Sequence, residues 1–183
     1  MNSMNYLVTV IFELYLMIVV LRIWLQFARA DFYHPVSQFI VKATQPVVGP
    51  LRRVIPPVGQ LDTASLLLAL MVAGAKWVVL MMMQNAGIDW AGAAVLAVLG
   101  VIKEFGTLLF WMLLIRAILS WVSQGQNPFE FLLAQLTEPL MAPIRRIIPP
   151  MGGLDLSLLV LMIGLNFANI LMHDLIGPLW RLA

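Results

Sequence analysis

Apolar residues occur in four long runs along the chain, separated by shorter segments of mixed polarity. The runs cover Tyr6 to Ala28, Ala64 to Met83, about Leu99 to Val122, and Leu156 to about Met172. Each approaches or exceeds the length of about 20 residues that an α-helix needs to cross the hydrocarbon core of a bilayer. The pattern predicts an all-α membrane protein with four transmembrane helices.

The third run is longer than a single span requires, because apolar residues continue from Trp90 to Val122. As one helix this stretch would be about 50 Å long, against a hydrocarbon core of about 30 Å. Residues Trp90 to Val98 would then protrude, re-enter the membrane, or form the first half of a helix kinked near Gly100 or Gly106. The sequence leaves these alternatives open.

The segments between the runs have helical periodicity of a different kind. Phe32 to Ala43 reads as a short amphipathic helix, with Val36, Phe39 and Ile40 on one face. The matching segment from Phe129 to Leu136 is more hydrophobic. We expect both to lie in the membrane interface.

A nineteen-residue stretch follows each of these segments and shows that the chain is duplicated. It occurs as Thr44–Asp62 and again as Thr137–Asp155, with eleven of nineteen positions identical. The copies are about 93 residues apart, which is far longer than the period of solenoid repeats. The chain is therefore predicted to consist of two tandem repeats, residues 1–88 and 89–183.

Prolines and glycines set the expected local structure of this motif. Pro50 and Pro143 are placed to begin a short helix, which a double proline ends about one and a half turns later. A glycine then allows a tight turn, and the final Asp of each copy is placed to cap the next helix. The residues concerned are Pro56-Pro57, Pro149-Pro150, Gly59, Gly152, Asp62 and Asp155.

Composition supports the membrane class and removes several kinds of chemistry. Hydrophobic residues make up 62% of the chain and charged residues 11%, with a mean hydropathy of +0.94. The chain has no cysteine and two histidines, which excludes disulfides and thiolate sites and leaves too few imidazoles for the usual metal sites. No phosphate-binding loop, zinc-protease motif or nucleophile elbow is present. We expect no enzyme activity, no catalytic residues, no cofactor, no metal and no nucleic-acid partner.

The distribution of Lys and Arg predicts the topology. Basic residues lie in the loops that contain the motif, whereas the connection from Gln84 to Asp89 has none. By the positive-inside rule both motif loops are cytoplasmic, which four spans allow and five do not. No Lys or Arg precedes Glu13, so the first run reads as a retained helix and not as a cleaved signal peptide. Both termini are then expected outside the cytoplasm, with the two repeats parallel.

Glu13 and Lys76 are the first candidate pair of charges inside the membrane. They fall at similar depth on neighbouring antiparallel helices, and a charge at that depth needs a partner or a wet cavity. A structural salt bridge and a proton or cation site are the two interpretations. Thr107 and Asn169 occupy the corresponding positions of the second repeat, so the pair is not duplicated. This argues against two equivalent transport sites.

A second kind of ion pair is predicted once in each repeat. Arg22 and Arg116 lie one to two turns before the cytoplasmic end of their spans, and Asp62 and Asp155 begin the spans that return. An Arg side chain can extend toward that end, where a capping carboxylate still has free oxygens. The alternative is that each Arg reaches lipid phosphate and each Asp is only a cap. Because both residues recur in both copies, we predict the pairs Arg22–Asp62 and Arg116–Asp155.

The adjacent arginines of the motif are the candidate surface residues. They are Arg52, Arg53, Arg145 and Arg146. One interpretation is that they only set topology and reach lipid headgroups. The other is that they bind anionic lipid or a protein partner, each contributing about 1 kcal/mol of attraction near an anionic surface.

These residues also carry a resemblance to a known family. Two apolar helices with an internal Arg, each followed by an amphipathic segment and by PLRRVIPPVGQLD or PIRRIIPPMGGLD, resemble the bacterial YggT family, called YlmG in Gram-positive bacteria. The resemblance covers essentially the whole chain. It implies a small inner-membrane protein linked to osmotic or envelope stress tolerance, with relatives linked to cell division, nucleoid distribution or cytochrome assembly. No catalytic residues carry over from it.

Two functional hypotheses remain. The first is an organising or assembly factor that acts through its cytoplasmic loops on membrane lipids or on a membrane or cytoplasmic protein. The alternative is an ion (potassium) or small-osmolyte pathway at the interface of the repeats. The first is preferred because the duplicated chemistry lies in the loops and not in the spans. Whether the chain forms a homo-oligomer stays open.

Overall fold

The computed structural model describes residues 2–59, 62–85, 87–122, 127–148 and 155–183. Within these ranges the regular structure consists of seven α-helices. They are α1 (Ser3–Phe27), α2 (Pro35–Val54), α3 (Thr63–Met83), α4 (Trp90–Val122), α5 (Pro128–Ile147), α6 (Leu156–Ile176) and α7 (Pro178–Leu182). The all-α prediction is confirmed.

Four of these helices are long and apolar enough to cross a membrane. They are α1, α3, residues 90–120 of α4, and α6. The spans agree with the four apolar runs to within a few residues at most ends. The helical core forms around α1, where Leu16, Val19, Val20 and Ile23 are buried against the neighbouring helices. The predicted architecture of four membrane helices in two tandem halves is confirmed.

The amphipathic helices α2 and α5 are longer than the pattern of the sequence predicts. Instead of ending near Ala43 and restarting at Pro50, α2 is one helix of 20 residues that contains Pro46 and Pro50. These two prolines are one turn apart, so the carbonyl groups they leave unpaired face the same side. Both prolines are exposed, which leaves those carbonyl groups free for water or lipid headgroups.

The opposite face of α2 explains why the helix continues. Ile40, Thr44 and Val48 follow at four-residue spacing and are buried. Their packing offsets the cost of about 3 kcal/mol that a proline imposes inside a helix. The same holds in α5, where Pro139 and Pro143 are exposed behind a buried face of Leu133, Thr137 and Met141.

Helix α2 ends just before the double proline, as predicted. Ile55 is the C-cap residue before Pro56, and Gly59 adopts a positive φ of 61° in the turn that follows. In the second repeat α5 ends at Ile147, with Ile148 as its C-cap. The turn predicted at Pro149-Pro150 and Gly152 lies outside the described residues.

Residues 90–98 continue the third membrane helix, so the re-entrant alternative is wrong. In α4 the residues Ala93, Leu96 and Ala97 are buried. A Cβ atom added at Gly74 of α3 would lie 3.7 Å from the Cβ of Ala97, so the two helices approach closely here. This contact holds the first turns of α4 in helical form against α3.

The last helix was not predicted from the sequence. Gly177 has a φ of 61° and a ψ of −124°, a conformation that glycine adopts readily, and it reverses the chain after α6. The short helix α7 then packs Trp180 into the bundle, where the side chain is buried. The C-terminus therefore folds back along α6 and reaches α4 near Gly100 and Lys103.

Both motif segments lie at one end of the bundle. The backbone N–H of Asp31 donates to Gln135 Oε1 at 2.9 Å, and Trp24 Nε1 donates to the carbonyl of Leu136 at 2.8 Å. These contacts join the end of α1 to α5 across the two halves. An arrangement with five spans, which would put the motifs at opposite ends, is incompatible with them.

Candidate functional site

The first candidate site is an ion pair that closes the loop between α2 and α3. Arg52 Nη2 lies 2.5 Å from Asp62 Oδ2, and Arg52 Nε lies 3.3 Å from Asp62 Oδ1. The same guanidinium donates to Gln26 Oε1 at the end of α1, at 3.1 Å. We call this contact the Arg–Asp clamp; its second copy is Arg145 with Asp155.

The second copy of the clamp has the same spacing of ten residues. Arg145 Nη2 and Nε lie 2.7 and 3.0 Å from Asp155 Oδ2. In place of Gln26, a carboxylate from the same helix joins the group, since Arg145 Nη1 lies 3.0 Å from Glu138 Oε1. The clamp is therefore a feature of both halves.

The aspartates of the clamp are also the N-caps of the returning spans, as their position predicted. Asp62 accepts from the backbone N–H of Ser65 at 3.3 Å and from its hydroxyl at 2.5 Å. Asp155 accepts from the N–H of Ser157 at 3.1 Å. One carboxylate thus caps the start of the returning helix and holds the arginine.

The ionisation of both aspartates follows from these contacts. Burial alone would raise the pKa of the Asp62 carboxyl, but hydrogen bonds from Arg52 and Ser65 outweigh burial and hold the pKa below its usual value. The pKa of Asp155 is lowered in the same way, with Arg145 and Ser157 opposing burial. Both carboxyls are ionised at neutral pH.

A second duplicated contact fixes the amphipathic helices to the spans. Arg22 of α1 donates to Thr44 Oγ1 at 2.6 Å, to Gln45 Oε1 at 2.8 Å and to the carbonyl of Val41 at 3.3 Å. Thr44 in turn donates its hydroxyl proton to the carbonyl of Ile40, at 2.7 Å. Its lone pairs are then left to accept from the arginine. We call this contact the Arg–Thr anchor.

The anchor recurs between α4 and α5. Arg116 donates to Thr137 Oγ1, and Thr137 donates to the carbonyl of Leu133 at 2.8 Å. Met141 Sδ accepts from the same guanidinium at 3.1 Å. The signal for this contact was present in the sequence, because Thr is the first identical residue of both motif copies.

The two predicted Arg–Asp pairs of the spans have different outcomes. Arg22 Nε lies 3.7 Å from Asp62 Oδ2, so these residues are brought together, although Asp62 makes its shorter contact with Arg52. Arg116 makes no ion pair with Asp155; its nearest carboxylate is Glu138, at 3.9 Å. Arg145 takes the carboxylate that was expected for Arg116, because it belongs to the same loop.

The paired arginines of the motif divide into two kinds. The first of each pair, Arg52 or Arg145, is engaged in the clamp, whereas Arg53 and Arg146 are exposed. The residue after each exposed arginine is apolar and also exposed, Val54 to 80% and Ile147 to 81%. Each repeat therefore presents one exposed guanidinium beside one exposed apolar side chain.

Glu13 and Lys76 lie together inside the membrane-spanning part. Lys76 Nζ is 3.4 Å from Glu13 Oε1, with the lysine side chain buried and the glutamate half-exposed. Lys76 also lies over the ring of Trp77, at 5.1 Å from its centroid. Lys103 and Glu104 of α4 are close enough to interact electrostatically with this pair.

A cavity of about 480 Å³ lies between α4, α6 and α7. Its polar lining residues are Lys103, Thr107, Asn166 and Asn169, and Phe110, Leu165, Met172 and Trp180 provide most of its apolar wall. Within the described residues, no group of three or more His, Asp or Glu side chains is placed to hold a metal ion.

Comparison with known proteins places the chain in a family. The CCB3/YggT family model matches residues 1–83 and 87–176. An uncharacterized protein in the proC 3′ region of Vibrio alginolyticus is 62% identical over 182 residues, covering 98% of both chains. The uncharacterized protein YggT of Escherichia coli (strain K12) is 48% identical over 171 residues, 92% of this chain and 88% of that protein.

A third relative and the solved structures complete the comparison. An uncharacterized protein of Haemophilus influenzae is 43% identical over 173 residues, 94% of this chain and 93% of that protein. No solved structure matches the chain. The family model covers nearly the whole sequence, in two segments that each contain one clamp and one anchor. The chain belongs to the CCB3/YggT family.

Proposed function

We propose that this protein is a multi-pass inner-membrane organising or assembly factor that supports osmotic or envelope stress tolerance through its two motif loops. The observation that carries the proposal is the duplicated exposed arginine beside an exposed apolar residue, Arg53 with Val54 and Arg146 with Ile147. Both pairs lie at the same end of the bundle. A bivalent surface of this kind suits a flat target more than a single solute.

The clamp explains how the surface is held. Arg52 ties the end of α2 to the start of α3, and Arg145 does the same between α5 and α6. The backbone at the residue after each clamp arginine is therefore held in place. Such a residue loses less backbone freedom on binding than one in a mobile loop.

The positive charge of these surfaces favours an anionic target. Each exposed arginine near an anionic surface contributes about 1 kcal/mol of attraction, and the apolar residue beside it can enter the acyl boundary. The exposed Phe39 of α2 and Phe131 of α5 extend this apolar contact. We propose anionic membrane lipid as the first partner, and a membrane or cytoplasmic protein that docks on the same loops as the second.

Orientation belongs to the same proposal. Basic residues are concentrated at the end that carries the motifs, so we propose that this end is cytoplasmic and that both termini are outside. We propose no enzyme activity, because the duplicated residues form structural ion pairs and exposed cations and not a nucleophile with its base.

The test separates the exposed arginines from the clamp. Arg53→Gln with Arg146→Gln should abolish stress tolerance in a deletion strain while leaving insertion and abundance unchanged. Lys42→Gln, which removes an exposed cation from the same surface of α2, is the matched control and should retain tolerance. Normal tolerance of the double variant at normal abundance would reject the loops as the functional site.

A second candidate function is an ion (potassium) or small-osmolyte pathway. The specific observation for it is the group of charged side chains at bilayer depth, Glu13 and Lys76 together with Lys103 and Glu104. Reconstituted protein would then carry K⁺ with saturable flux that Glu13→Gln removes. The same flux in the Arg53→Gln, Arg146→Gln variant would favour transport over the loop proposal.

A further inference from the structure

Lys103 is a cation in a membrane helix that has no carboxylate at contact distance. Within the described part of the chain it makes no ion pair; its Nζ donates to the carbonyl of Trp180 at 3.0 Å and lies 6.0 Å from the centroid of that ring. An ammonium has three donors, so two remain. Glu104 follows directly on α4 but does not line the same cavity.

The cavity beside Lys103 supplies further polar groups. Thr107 and Asn166 line it and form no hydrogen bond with the described residues of the protein. Asn169 accepts from Trp180 Nε1 at 2.8 Å, which leaves the donors of its own amide unused. The side chains of Thr107, Asn166 and Asn169 are exposed toward this space, and Lys103 joins them with two donors unused. Four polar side chains that converge on one space within membrane helices indicate a polar occupant.

The shape of the cavity limits what that occupant is. Its volume of about 480 Å³ falls in the range of small-molecule sites, about 300 to 1,000 Å³. Phe110, Leu165 and Met172 provide apolar surface beside these polar groups. The buried Trp180 of α7 forms one wall of the space.

We propose that the cavity between α4, α6 and α7 binds an organic anion, a carboxylate or phosphate attached to an apolar chain, with Lys103 as its counter-ion. The Asn166 and Asn169 amides and the Thr107 hydroxyl supply the remaining hydrogen bonds, and the apolar wall takes the chain. This site is separate from the motif loops, which lie at the other end of the helices, and goes beyond the function proposed for them.

The second repeat alone carries this site. The positions in α1 that correspond to Lys103 and Thr107 are near Thr9 and Glu13, where Glu13 is already held by Lys76. In the first half, the space beside α3 is taken by α4. The stoichiometry is therefore one anion for each chain.

The experiment uses the full chain in phosphatidylcholine nanodiscs and two probes. The first is octanoate, followed by titration calorimetry, with octanamide as its neutral counterpart. The second is phosphatidylglycerol, followed by native mass spectrometry against phosphatidylcholine. Lys103→Gln should weaken anion binding at least tenfold, Lys103→Arg should retain it, and the exposed Lys42→Gln should leave it unchanged.

Each outcome bears on the proposal. Octanoate binding without phosphatidylglycerol retention assigns a free organic anion, and the reverse assigns a lipid headgroup. Equal affinity for octanamide, unchanged binding in Lys103→Gln, or no binding of either anion overturns the site. If Lys103→Gln does not fold by circular dichroism, Asn166→Leu replaces it, because leucine suits a membrane helix and still removes a ligand of the anion.

Discussion

Arg52 and Asp62 lie ten residues apart on opposite sides of the Pro56-Pro57 bend, and their side chains meet with an oxygen to nitrogen distance of 2.5 Å. Asp62 is buried, with 1% of its surface exposed, and it also caps α3. The contact therefore links the end of the amphipathic helix directly to the start of the returning span. Arg145 and Asp155 form the same link in the second half.

Loss of the clamp carboxylate is expected to destabilise the protein. Asp62→Asn removes the negative charge and one of the two oxygens that accept from Arg52, and hydrogen bonds to charged groups contribute about 1.5 to 3 kcal/mol. The half-exposed arginine is partly screened by solvent, so we expect a coupling of about 1 to 2 kcal/mol with Arg52→Gln. A double-mutant cycle on unfolding in detergent measures it.

The neighbouring arginine provides the control for this cycle. Arg53→Gln removes the same charge from an exposed position, so stability should change by less than about 0.5 kcal/mol. Additive effects of Arg52→Gln and Asp62→Asn would show that the two side chains do not hold each other in the membrane.

Removal of two buried hydroxyls on α2 should have different effects on the free energy of unfolding. Thr44→Val deletes the group that accepts from Arg22 and should cost about 1 to 3 kcal/mol, since a buried guanidinium loses a partner. Ser37 is equally buried, but its Oγ has no hydrogen-bond partner among the described residues. Ser37→Ala should be neutral or stabilising.

Thermal unfolding in one detergent compares the two variants directly. Equal losses of stability in Thr44→Val and Ser37→Ala would mean that packing of α2, and not the Arg–Thr anchor, sets the cost.

The clamp also predicts a dependence of stability on pH. The folded pKa of Asp62 is lowered by Arg52 and Ser65 against the effect of burial. A lowered folded pKa stabilises the protein above the unfolded value of about 3.9, and this contribution is lost as pH falls through the folded pKa. The stability difference between the wild type and Asp62→Asn should therefore be constant from pH 7 to about pH 5 and shrink below about pH 4.

Melting curves of the two proteins over that range provide the measurement. Arg53→Gln should follow the wild type, because it does not contact the carboxyl. A difference that stays constant down to pH 2 would mean that Asp62 is not the titrating group.

The membrane helices and their caps could be predicted from the sequence because local rules determine them. Length and hydropathy identify spans, and an Asp before an apolar run is a capping residue. The approach of Glu13 to Lys76 also followed from their similar depth, once the first two spans were taken as antiparallel neighbours. The spans and caps themselves need no knowledge of packing.

The rest depends on tertiary contacts. The continuation of α2 through Pro46 and Pro50 requires that Thr44 and its neighbours be buried on the opposite face, which no local rule shows. Asp62 had two arginine candidates in the same half, and only the folded loop selects Arg52 as its closer partner. Trp180 enters the bundle through a turn at Gly177 that the apolar pattern does not indicate.

Sidedness provides a direct test of the topology. The chain has no cysteine, so single cysteines can be introduced and labelled without background. Val58 and Ile147 are exposed residues in the two motif segments. Cysteines introduced as Val58→Cys and Ile147→Cys should therefore be labelled from the same side of the membrane. Met4→Cys, exposed at the start of α1, should be labelled from the opposite side and provides the control.

An impermeant maleimide applied to intact spheroplasts, with and without prior permeabilisation, gives the result. Labelling of Met4→Cys alone in intact spheroplasts would support cytoplasmic motifs. Opposite sidedness of the two motif positions would overturn the parallel arrangement of the repeats.

The two halves should differ in how their membrane arginines couple to the capping aspartates. Arg22 Nε lies 3.7 Å from Asp62, whereas Arg116 makes no ion pair with Asp155 and has Glu138 as its nearest carboxylate. A cycle of Arg22→Leu with Asp62→Asn should show a coupling of about 0.5 kcal/mol or more, and the equivalent cycle with Arg116→Leu and Asp155→Asn should be additive within about 0.5 kcal/mol.

The physical reason for this difference lies in the second half's additional carboxylate. Glu138 occupies the position in the second half that Gln45 has in the first, since each lies one residue after the threonine of the anchor. It brings a negative charge to the place of a neutral amide. Arg116 is therefore drawn toward Glu138, while Arg22 is left to share Asp62 with Arg52. Glu138→Gln should release Arg116 and make the second cycle resemble the first. Equal coupling in both halves before that change would show that the anchors are equivalent and that the charge of Glu138 has no part in placing Arg116.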